Sequence, residues 1–182
     1  MKKYSFFLLY IISIFSCFSQ DIKASDLNFK LNENKKVIWE KNYKFDANKD
    51  SLTIILQSFL KNTYFTCELQ KTRDGFSGTS KKVLLSSTKK MAIGAVNPYK
   101  ATITIKVMDY NYLVTVTDIV FDGLIFNYPI IGKKSQGPPV LYLEDFVVKN
   151  KKHEFRKNKG ALSQLSVLNK DFDSYFTMNY TN

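Results

Sequence analysis

Six cations fall within eleven residues of this chain, at Lys149, Lys151, Lys152, Arg156, Lys157 and Lys159. A cluster that dense attracts polyanions by charge alone: anionic lipid head groups, envelope polysaccharide or nucleic acid. A second reading stands beside it, a solvated connection that serves solubility. The lone histidine, His153, sits inside this run. Its cationic neighbours disfavour a bound metal, so it reads as a solvated loop residue.

Other residue patterns that could carry chemistry fall short of it. Gly132-Lys133-Lys134-Ser135 resembles part of a phosphate loop, but Asn127 stands where the first glycine belongs and Gly137-Pro138-Pro139 follows instead of a helix. Asp46-x-Asn48-x-Asp50 has oxygen-ligand spacing without the glycine and glutamate of a calcium loop, and Asp171-x-Asp173 is shorter still; capping and surface charge explain both. A Ser-His-Asp triad would need His153, and no Gly-x-Ser-x-Gly elbow is present. Glu144 and Asp145 are adjacent carboxylates, which point in different directions on a helix or strand. No catalytic, cofactor-binding or metal-ligating residue is therefore assigned, and no cofactor is expected. An alternative is a small hydrolase with a cleft near residues 123–159 using Glu144 and Asp145.

The formal charge is +11, or +9 once Lys2 and Lys3 are subtracted (11 − 2). Arg73 and Arg156 are the two arginines. Lysine-rich, arginine-poor surfaces lack the planar fork that reads guanine, so sequence-specific nucleic-acid binding is not expected. The partners implied are an envelope protein or an anionic polymer or lipid.

Lys2 and Lys3, an apolar run from Phe6 to Phe15, and small residues at Cys17 and Ser19 have the layout of a secretory signal peptide, cleaved before Gln20. The apolar run is shorter than the ~20 residues a spanning helix needs. Two alternatives are a lipoprotein acylated at Cys17, the one route to a membrane in this reading, and a retained anchor. The mature product is expected in the periplasm or outside the cell, as an envelope-associated binding or accessory protein or a structural partner of an outer-membrane assembly. Cys67 would then be alone, without an intramolecular disulfide, and reads as a buried, inert thiol on a strand.

The elements that must carry these residues follow from periodicity. Residues 20–35 form a polar lead-in. Val37, Trp39, Tyr43 and Phe45 alternate with polar residues on a first strand, with Lys41 the exception on the apolar face. Asp46 to Asp50 offers caps for a helix whose face is Leu52, Ile55, Leu56, Phe59 and Leu60, ending near Asn62. Residues 64–71 read as a strand, Arg73-Asp74-Gly75 as a hairpin turn, and 76–79 as a third strand with Gly78 at a bulge. Val83-Leu84-Leu85 continues or follows it, and Lys89, Gly94 and Asn97-Pro98 mark a loop. Ile103, Ile105 and Val107 then point inward from a strand, and after a turn at 109–111 its partner carries Tyr112, Val114, Val116 and Asp118 on one face and Ile119 and Phe121 on the other. Turn-rich residues 123–159 hold one apolar stretch, 140–148. A second amphipathic helix covers 161–178 through Leu162, Leu165, Leu168, Phe172 and Tyr175 or Phe176. The sheet face away from the helices would offer Lys44, Lys106 and threonines as a binding surface.

These elements give an α+β class: one antiparallel sheet with two helices on one face, in the order β-α-β-β-β-β-α. Trp39-Glu40-Lys41-x-Tyr43-x-Phe45, the 52–60 helix, Ile103-x-Ile105-x-Val107 with Tyr112-x-Val114-x-Val116-x-Asp118, the secretion signal and the Leu-rich last helix together resemble a family of exported bacterial domains of unknown function with a TATA-binding-protein-like fold. The resemblance spans residues 36–178, with the 123–159 stretch as an insert. It implies no catalytic residues, and the fold name does not imply DNA binding.

Overall fold

Residues 23–86, 98–122, 125–126, 135–136, 140–149 and 151–178 are described in this computed structural model. The signal-like residues 1–19 with Cys17, the loop around Lys89 and Gly94, and Gly132-Lys133-Lys134 lie outside them.

The longest strands form the centre. β5 (Tyr99–Met108) and β6 (Asn111–Asp122) make an antiparallel hairpin, and β2 (Val37–Lys44) pairs with the other edge of β6. β1 (Phe29–Leu31) adds to β2; β4 (Gly75–Thr79) and β3 (Gln70–Thr72) extend the sheet beyond β5. β9 (Val140–Tyr142) pairs with the end of β6 that β2 leaves free, completing seven antiparallel strands. β7 (Ile125–Phe126) and β8 (Ser135–Gln136) form a separate ladder. The expected sheet is present; β1 in the lead-in and β9 within the turn-rich stretch are additions to it.

Among the described residues the α-helices are α1 (Lys49–Asn62), α2 (Leu143–Val147) and α3 (Lys159–Phe176). Asn48 caps α1 through Oδ1 to the Ser51 N–H (3.0 Å), and Asn158 caps α3 in the same way at Ala161 (2.8 Å). The Asp46-x-Asn48-x-Asp50 pattern is thus a helix start. On α1 the buried stripe is Leu52, Leu56 and Leu60, at strict i, i+4 spacing. Ile55, expected on that face, lies at its edge and is 41% exposed.

One face of the sheet is apolar. Trp39, Tyr43, Ile103, Ile105, Val107, Tyr112, Val114 and Val116 are buried there. Phe172 and Phe176 of α3 sit 5.3 and 6.0 Å from the Trp39 ring. The indole N–H donates to Asn169 Oδ1 (2.9 Å), which also accepts from Asn28 (3.0 Å). Burying each of these rings contributes roughly 2–3 kcal/mol. Lys41, the cation on the apolar face, is neutralised at its margin: its Nζ lies 2.5 Å from Asp173 Oδ1, which also accepts from Tyr43 (3.0 Å).

Three expectations need correction. Residues 64–68 are turns, so Cys67 is not on a strand, and β3 begins only at Gln70. Thr66 donates from its amide to Thr63 O and from its hydroxyl to Leu60 O, wrapping the chain around the helix end and burying Phe65. Cys67 is half-buried there, its thiol 3.2 Å from Tyr64 O. Second, Gly78 pairs in regular register with Ile103, and no bulge occurs there. Gly75 is the constrained glycine: a Cβ would meet Ile105 O at 1.9 Å. Third, the bulge lies on β6. Thr117 faces Thr102 and Val120 faces Lys100, so Asp118 and Ile119 together oppose one residue, with Asp118 at φ 48°. That extra residue returns Ile119 and Phe121 to the core face, where both are buried, and leaves Asp118 exposed.

Burial opposes the charge on Asp173, but hydrogen bonds from Lys41 and Tyr43 outweigh it and hold the carboxyl below its usual range. A lowered folded-state pKa contributes stability above the ordinary carboxylate range, lost as pH falls through the folded value. Asp173 is 40% exposed, so screening limits the effect. Asp173→Asn should cost about 1 kcal/mol at neutral pH, and the gap to the parent protein should close in acid. Denaturant melts across a pH series check this; a gap that persists or widens below the carboxylate range contradicts it.

Candidate functional site: a basic shelf

The basic run between α2 and α3 is a stitched turn. Val148 and Phe155 form a β-bridge, Lys149 N–H donates to Glu154 O (3.0 Å) and Arg156 N–H to Val147 O (2.7 Å). Arg156 also donates from Nε to Val148 O (2.9 Å) and from Nη2 to Asp145 O (3.2 Å). Its guanidinium thus satisfies carbonyls at the C-terminal end of α2, where positive charge is favoured. Lys149 Nζ pairs with Glu154 (2.7 Å). That hydrogen bond, with the charges of Lys149, Lys152 and Lys157, lowers the Glu154 pKa.

Two of the six predicted cations are therefore committed to the fold. Lys151, Lys152, Lys157 and Lys159 pair with no carboxylate among the described residues. Lys149, Lys151, Lys152, Arg156, Lys157 and Asn158 line an open hollow of about 540 Å³. Lys159 opens α3 just beyond it. His153 is exposed on the same turn.

A second hollow, of about 240 Å³, adjoins the first and shares Lys149. It brings in Lys35, Lys36 and Tyr142, which sequence reasoning did not connect to the basic run. Asn32 Oδ1 accepts from the amides of Asn34 and Lys36, and Lys35 takes φ 61°; this tight β1–β2 loop presents both lysines. Lys36 Nζ stands 4.6 Å over the Tyr142 ring. Two lysines far back in the chain carry no local signal of this contact. Only the pairing of β1, β2, β6 and β9 in one sheet brings them here.

Glu144 and Asp145 line the second hollow as well. Glu144 Oε1 accepts the Val37 N–H (2.9 Å) and Asp145 Oδ2 accepts the Tyr142 N–H (3.2 Å). Both carboxylates hold backbone, and Glu144 Oε2 is buried without a hydrogen-bond partner. On the other sheet face, Lys44 and Lys106 are exposed as expected, and Thr115 and Lys30 converge on Glu40. No cluster of potential metal ligands occurs among the described residues, nor a helix long and apolar enough to cross a membrane.

No protein-family profile matches the chain, and no curated protein matches it. Among solved structures it is similar to a TBP-like protein from Parabacteroides distasonis, at 18% identity and TM-score 0.50, covering 80% of this chain and 93% of that one. It is also similar to a DUF4468 family protein from Bacteroides ovatus, at 13% identity and TM-score 0.46, covering 85% and 94%. The antiparallel sheet with its helices and the match to the first of these bacterial proteins show that the chain carries the TBP-like α+β fold.

Proposed function

We propose that this is an exported, non-catalytic, envelope-associated binding protein whose shelf holds an anionic polymer. The observation that carries the reading is the junction of the two hollows at Lys149, which gathers Lys35 and Lys36 beside Lys151, Lys152 and Lys157. Like charges so close repel one another, and a bound polyanion relieves that repulsion. The backbone roles of Glu144 and Asp145 support a binding role over hydrolysis.

Export is tested by the mass of the protein recovered from cells. A chain beginning at Gln20 is expected; acyl groups on Cys17 would make it a lipoprotein, and an intact Met1 in the cytosol would contradict export.

Binding is tested by retention on an anionic matrix across a salt gradient. Replacing Lys35, Lys151, Lys152 and Lys157 by Gln should abolish retention and leave the melting temperature unchanged. Arg156→Gln should instead cost roughly 1–3 kcal/mol of stability, because it strips partners from α2 carbonyls. Unchanged retention of the quadruple variant contradicts the shelf.

A further inference from the structure

The two hollows differ in chemistry, and the difference selects among polyanions. The larger presents cations and one amide. The smaller mixes Lys35 and Lys36 with Asn34, Glu144, Asp145 and Tyr142, a residue 44% exposed. Carboxylates accept hydrogen bonds and repel anions, and Asp145 is exposed at this hollow. A polymer carrying anionic groups alone brings no donor to these acceptors and meets repulsion from them. A ligand suited to both hollows carries anionic groups for the lysines, hydroxyl donors for the carboxylates and amide, and an apolar C–H face for an aromatic ring.

Resting on the polyanion reading of the shelf, we propose that the ligand is an acidic oligosaccharide. Its carboxylate-bearing units lie in the lysine-lined hollow, and a neighbouring sugar lies against Tyr142. Lys149, common to both hollows, bridges adjacent units.

The test is a calorimetric titration of the mature protein with three probes at one ionic strength: hexagalacturonate, its neutral counterpart galactohexaose, and inorganic polyphosphate. Hexagalacturonate should bind about tenfold or more tighter than either other probe. Tyr142→Ala should weaken it by about tenfold, and Tyr142→Phe, which keeps the ring, should not. Polyphosphate binding as tightly as hexagalacturonate, or indifference to Tyr142→Ala in a protein that melts normally, overturns the saccharide inference and leaves the polyanion shelf standing. Equal binding of galactohexaose, or no binding of any probe, overturns the shelf itself.

Discussion

Trp39 has to be covered. A fully buried indole on a sheet needs an apolar lid and an acceptor for its N–H, and α3 supplies both through Phe172, Phe176 and Asn169. Much of the remaining architecture follows from that seat. Asn169 also receives Asn28, tying the start of the described chain to the helix. One turn on, Asp173 collects Lys41 and Tyr43; at the helix end, Phe176 O accepts the Tyr112 hydroxyl at 2.6 Å. With α3 fixed at these points along its length, its N-terminus is fixed too, and with it the turn that carries the basic residues.

The shelf is a balance between repulsion and tethering. Lysines crowded on one surface favour dispersal, and six cations on a loose connection would disperse. Here the bridge between Val148 and Phe155, the Arg156 bonds to α2 carbonyls and the Lys149–Glu154 pair hold the turn against that tendency. The six cations read from the sequence do not act alike: Arg156 and Lys149 build the platform, while Lys151, Lys152, Lys157 and Lys159 pair with no carboxylate among the described residues. The β1–β2 loop adds two more lysines, Lys35 and Lys36, from a distant part of the chain.

Alternation made β2, β5 and most of β6 legible, and the i, i+4 spacing of leucines and phenylalanines made α1 and α3 legible. The turn at 64–68 was not, because Tyr, Phe and Thr favour strands while hydrogen bonds from Thr66 to the end of α1 decide the outcome. The β6 bulge had left a trace: Tyr112, Val114 and Val116 alternate, then the apolar phase skips the charged Asp118 to Ile119 and Phe121, as one extra residue produces. The junction of Lys36 with Tyr142 left none, since it depends on strand order across the sheet.

Amide hydrogen exchange at Lys149 and Arg156 tests most directly whether the basic run is a platform or a solvated connection. Their N–H groups bond Glu154 O and Val147 O, so slow exchange, well below the rate of an unstructured chain, is predicted at both. Exchange at the unstructured rate, with Trp39 and its neighbours still protected, would contradict a preformed shelf.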